Sequence, residues 1–263
     1  MLNLQNFQTS ILNKKIRVGA VNYLNTKPLI YGFEKGAMKD RMDLVLEYPS
    51  KIAAMLIHNE IDLGLVPVAI IPELNEYYII SDYGIGSNGE VGSVCLFSDV
   101  QLKEIEKILL DYQSRTSCEL LKILIKEYWK IDPVIENTSS DYRGNISGTT
   151  AGLMIGDRAL EQRNISLYKY DLGMEWKKFT GLPFVFAAWI SNKKLDPGFI
   201  DSFNNATRIG LQQIDNVVAE NPYPVFDLKK YYTSYINYHV DDNAKKGLQL
   251  FLSKLNKSWV GSD

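Results

Sequence analysis

The chain has 263 residues, 46% of them hydrophobic and 23% charged, which suits one large globular domain or two modest ones and excludes a disordered or fibrous protein. Twenty-nine basic residues stand against 31 acidic ones, a net charge of -2, so no overall positive field draws in nucleic acid or an anionic membrane surface.

The opening MLNLQNFQTSILNKK lacks an apolar run long enough for the core of an export signal, and its lysines follow the weakly apolar part instead of preceding it. No later stretch reaches the roughly 18 uninterrupted apolar residues that span a bilayer. Together these features predict a soluble, cytoplasmic protein with no membrane partner, in which Cys95 and Cys118 stay reduced. The only histidines, His58 and His239, have no metal-ligand spacing, so no metal is expected.

From residue 16 the chain alternates short β-branched runs with amphipathic segments: IRVGAV, PLIYGFEKG, LVLEYP, KIAAMLIHNE and IDLGLVP, a βαβαβ series that predicts a parallel sheet. Ile52, Met55, Leu56 and Ile57 fall at helical spacing, which leaves His58 on the solvent side. The Gly-, Ser- and Asn-rich SDYGIGSNGE predicts a loop. After it the strand GSVCLFS (92–98) opens a second βα series, through KILLD, SRTSCELLKILIKEYWK, DPVIENT, AGLMIGD and SLYKYD. PFVFAAWIS (183–191) is another long apolar strand, and everything beyond Asp196 reads as helix. Two α/β units joined by two strand connections describe two lobes crossed twice by the chain, the architecture of the type II periplasmic-binding-protein fold. A single doubly wound sheet has much the same alternation. The two-lobed reading puts residues 1–93 and 188–263 in one lobe and 94–187 in the other, with a ligand cleft between them.

Candidate site residues lie where strands give way to helices. In NYLNTKPL, Asn25 or Thr26 can cap a helix whose first turn holds Pro28, and the exposed amides there favour an anion. Ser114, Arg115, Thr116 and Ser117 open a long amphipathic helix, where the Arg fork suits a carboxylate and the hydroxyls add donors. Gly156 and Asp157 end an apolar run at the same rim, Asp157 either capping or touching ligand. Ser93 stands near the first crossover, where its hydroxyl can face the cleft. The aromatic residues Tyr170, Trp176, Phe184, Phe186 and Trp189 are expected mostly in the core, with one or two walling a planar ligand. No dinucleotide, P-loop or nucleophile-elbow motif is present.

In order and spacing, VNYLNTKPL, SDYGIGSNGEVGSVCLFS, DYQSRTSCELLKILI, LMIGDRAL and YDLGMEWKKFTGLPFVFAAW resemble the chorismate dehydratase family over residues 16–191. The resemblance implies the type II binding-protein fold. It also implies loss of water from chorismate to give 3-[(1-carboxyvinyl)oxy]benzoate in the futalosine route to menaquinone, without metal or organic cofactor. It points to Asn25 and Ser93 as catalytic, and to the turn from Ser114 to Ser117 as the rest of the substrate shell; Thr26, Gly156 and Asp157 are expected to bind beside them. The related dihydroxynaphthoate synthase, with its Ser-Pro-Cys-Pro-Asn type motif and functional histidine, matches less well. The rival expectation is a non-catalytic cytoplasmic protein of the same fold that binds a small anion.

Overall fold

The computed structural model describes residues 15–258, so the reading of the first 14 residues as lacking an export signal lies outside the described residues. Strand β1 (Ile16–Val21) pairs in parallel with β2 (Met42–Glu47) and β3 (Leu63–Pro67), and the crossovers carry α1 (Lys27–Glu34) and α2 (Pro49–Ile57). Both helices hold proline in the first turn, where the missing N–H leaves no bond unmade. His58 closes α2 and is exposed, as its spacing predicted. The sheet is completed by β4 (Tyr78–Ser87), then by β10 (Phe184–Ser191) and β11 (Asn237–His239), both antiparallel to β4, in the order β11-β4-β10-β3-β1-β2.

A second sheet, ordered β7-β6-β8-β5-β9, takes β5 (Val94–Ser98), β6 (Lys107–Leu110), β7 (Val134–Asn137), β8 (Thr150–Ile155) and β9 (Tyr168–Asp171). Strands β7, β6 and β8 run parallel, while β5 is antiparallel to β8 and β9. The helix α3 (Arg115–Ile123) follows β6 and continues as a π-helical stretch to Trp129, ending where Lys130 turns left-handed at φ 54°. After β8 come α4 (Asp157–Gln162) and, beyond β9, α5 (Leu172–Thr180). The chain passes to the second sheet between Ser87 and Val94 and returns between Asp171 and Phe184. Strand β10 therefore belongs whole to the first sheet, and the return lies upstream of residue 188.

The structure corrects two further expectations. SDYGIGSNGE is not a loop, because residues 81–87 form most of β4. There Gly84 and Gly86 let the strands close in: a Cβ at either would lie 2.7 Å from the Ala187 oxygen or 2.6 Å from the Phe184 oxygen. Glycine is a weak strand former by itself, so tertiary pairing outweighs propensity. Nor is the tail wholly helical. After α6 (Pro197–Gln212), α7 (Ile214–Glu220) and α8 (Leu228–Lys230), β11 joins the sheet before α9 (Asp242–Ser258).

Trp176, Phe184 and Phe251 meet edge to face with ring centroids 5.0–6.3 Å apart, and Trp189 packs on Phe33 and Phe203 in the same way. All but Phe33 are at most 1% exposed. Truncating such a ring to alanine removes about 3–5 kcal/mol.

Candidate active site

The carboxyl ends of β1, β3 and β8 and the start of α3 converge on a cavity between the two sheets. Ligands of open α/β sheets bind beyond the carboxyl ends of their strands, because the helix amino termini gather there. The first lobe contributes Val21, Tyr23 and Asn25 after β1, with Pro49 and Pro67; the crossover contributes Val91, Ser93 and Val94. Across from them stand Ser114, Thr116 and Ser117 at the start of α3, and Ile155 and Gly156 at the end of β8. Phe186 and Ala187 of β10 close the floor, so one aromatic residue of the five walls the cavity, while Trp176, Phe184 and Trp189 are core.

Most predicted residues therefore meet in one place, but not always in the expected role. Asn25 sits in a 3-10 turn, Leu24–Thr26, and no side-chain bond caps α1. Its carbonyl oxygen accepts from the Tyr238 hydroxyl at 2.9 Å, and its Oδ1 accepts from Thr26 Oγ1 at 3.4 Å. Thr26 is fully buried and supports Asn25 without lining the cavity. Ser93 is fully buried from solvent; its carbonyl takes the Gly156 N–H at 2.8 Å, which ties the crossover to the end of β8. Gly156 adopts φ 66°, where a side chain would be strained and its Cβ would lie 3.0 Å from the Tyr23 ring.

At the start of α3, Ser114 is the true cap: its Oγ accepts the Ser117 N–H at 3.2 Å. Thr116 Oγ1 accepts from the Ala69 N–H at 3.2 Å, a bond between the lobes. Arg115 departs from expectation. Its side chain is 39% exposed and Nη1 lies 2.8 Å from both oxygens of Glu73, in a groove on the far side of Ser114. Successive residues of a helix stand about 100° apart around its axis, and with Thr116 and Ser117 toward the cavity Arg115 lies on the side of α3 that meets Glu73.

Asp157 is not the cap of α4, a position held by Gly156. Its Oδ1 instead accepts the Leu24 N–H at 3.2 Å from the other lobe, and burial pushes its carboxyl up to about 6. It lies beside the cavity and not on its wall. Tyr23 Oη bonds Gln113, a third link across the cleft.

Among the described residues, no side chain charged at neutral pH lines the cavity. An anionic ligand would meet hydroxyls, the Asn25 amide and the first-turn amides of α3, which carry the positive end of the helix dipole. Tyr23 is the one lining group with an acidic proton, and burial holds its phenol far above the ordinary range. No group of three or more His, Cys, Asp or Glu side chains among the described residues converges on one point.

Sequences described as "Menaquinone biosynthesis" match residues 16–257. The chain belongs to that menaquinone biosynthesis family. A chorismate dehydratase of Thermus thermophilus is 25% identical, over 90% of this chain and 94% of its own length. Among solved structures, protein AF1704 of Archaeoglobus fulgidus superposes with a TM-score of 0.75 at 16% identity, covering 94% of this chain and 98% of that one. The periplasmic aliphatic sulphonate binding protein SsuA of Escherichia coli does so with 0.61 at 13% identity, covering 95% and 94%. The menaquinone family member thus has the periplasmic-binding-protein fold, in two α/β lobes, as its sequence pattern led us to expect. Among its described residues no helix is long and apolar enough to cross a membrane.

Two site features escape sequence reasoning. Tyr231 and Tyr238 reach the site from the carboxyl-terminal segment, more than 130 residues after Ser93, and nothing local distinguishes them from core tyrosines.

Proposed function

We propose that this family member is a cytoplasmic chorismate dehydratase of the futalosine route, releasing water from chorismate to form 3-[(1-carboxyvinyl)oxy]benzoate. The observation that carries the reading is a cavity lined by two sets of neutral donors, Asn25 with Ser93 and the start of α3, together with apolar side chains. Chorismate is a cyclohexadiene with one carboxylate on the ring and a second on its enolpyruvyl ether arm. One carboxylate at each set of donors leaves the ring against Phe186, Val21 and Ile85.

The reaction asks little acid–base strength of the protein. The ring proton beside the ether oxygen is acidified through the diene by the ring carboxylate; its removal gives a dienolate, hydroxide leaves with that proton as water, and the ring becomes aromatic. No lining side chain is a base at neutral pH, since the Tyr23 phenol keeps its proton. The enolpyruvyl carboxylate of the substrate takes the proton, and the protein holds its geometry. Fixing reacting groups in this way contributes about 7 to 11 kcal/mol, and donors aimed at the ring carboxylate stabilise the developing charge.

Incubating the purified protein with chorismate, and following by mass spectrometry a product lighter by one water, tests the proposal. Tight binding of chorismate without that product would replace the enzyme by a small-anion binding protein of the same fold.

A further inference from the structure

The Tyr231 hydroxyl lies 2.6 Å from Ser93 Oγ, fully buried and behind the cavity wall. In this bond the Tyr231 hydroxyl donates and the Ser93 oxygen accepts. Burial keeps that proton in place at any working pH, raising the phenol far above its usual range. With its oxygen already accepting, Ser93 has its own proton left to direct into the cavity that it lines.

We propose that Tyr231 is a positioning residue that makes Ser93 a hydrogen-bond donor to the ligand. This rests on the reading of the cavity as the substrate site. Tyr231 touches no reacting atom; it acts through Ser93, which it reaches from the carboxyl-terminal segment, 138 residues further along the chain.

The test is a double-mutant cycle with Tyr231→Phe, Ser93→Ala and the double variant. It is read on kcat/KM for chorismate and on the Kd for 3-hydroxybenzoate, an aromatic carboxylate, by calorimetry. Tyr232→Phe, an equally buried neighbour, serves as control. Phenylalanine fills the same space, so Tyr231→Phe is expected to keep its melting temperature and to lose about 10- to 100-fold in kcat/KM. In the Ser93→Ala background the same change should cost less than about two-fold, since coupled residues are not additive. Unchanged kcat/KM in Tyr231→Phe, losses that multiply, an equal loss in Tyr232→Phe, or failure of Tyr231→Phe to fold would each overturn the proposal. If the unmodified protein does not turn over chorismate, the dehydratase reading falls. The 3-hydroxybenzoate cycle then decides the role of Tyr231 alone: weakening by Tyr231→Phe only where Ser93 is present supports it, and weakening in both backgrounds or in neither refutes it.

Discussion

At Arg115 the guanidinium turns from the cavity to Glu73, and both partners are well exposed. Exposed ion pairs contribute at most about 1 kcal/mol. Arg115→Ala is therefore expected to leave kcat/KM within about two-fold and stability within about 1 kcal/mol; a ten-fold loss of kcat/KM would restore the arginine to the substrate shell. Asp157 has the opposite character, half-buried with its carboxyl pushed up to about 6, first by desolvation and then by the charge of Glu161. The folded chain holds this proton to higher pH than the unfolded one, so the contribution of Asp157 to stability falls as pH rises through the window from about 4 to about 6. Above that window the penalty is fully present, and below it there is none. Asparagine keeps an oxygen for the Leu24 N–H without the charge. Melts of Asp157→Asn should show about 1–2 kcal/mol of added stability at pH 7.5 and none at pH 4; a gain of the same size at both pH values would refute the assignment.

Strand β4 shows what an element demands of its residues. Gly86 faces the Phe184 carbonyl so closely that any Cβ pushes on backbone, which cannot move aside as a side chain can. Gly86→Ala is expected to destabilise by about 1–3 kcal/mol in urea unfolding, with the strain of overpacking as the cause. Gly144, which has no atom within 4 Å of a built Cβ and no left-handed backbone, is the control and should accept alanine almost without cost. Equal costs at the two sites would show that loss of backbone freedom, and not the close approach of β10, explains β4. Helix α3 is the complementary case, since Ser114 makes its cap with its own side chain and the sequence spacing alone suffices.

For the whole molecule the decisive contacts are those across the cleft: Tyr23 with Gln113, Leu24 with Asp157 and Ala69 with Thr116. Each joins one sheet's lobe to the other beside the cavity, so the three tie the lobes together around it. Gln113 receives Tyr23 and also Arg158 Nη2, at 3.0 Å, without lining the cavity itself. Gln113→Ala should speed ligand release by about five-fold, the equivalent of one hydrogen bond of about 1 kcal/mol. Stopped-flow displacement of 3-hydroxybenzoate measures it, and an unchanged release rate would mean that closure does not depend on this link.

Local pattern determined much by itself. The βαβαβ start, the Pro-marked helices α1 and α2, the Ser114 cap and the restart of strands after residue 92 all follow from spacing and propensity, which act over a few residues. Strand ends in such sheets share one rim, and it was the family resemblance that singled out Asn25, Ser93 and the turn from Ser114 to Ser117, of which all but Arg115 line the cavity with Gly156. Tertiary structure decided the rest. Gly84 and Gly86 become strand only because β10 and β11 lie on either side, and β11 exists only because β4 offers a free edge. Arg115 finds Glu73 and Tyr231 finds Ser93 across 42 and 138 residues of chain. Hydrogen bonds reach about 3 Å in space and carry no mark of sequence distance, so which donor meets which acceptor is settled only when the lobes have folded and closed.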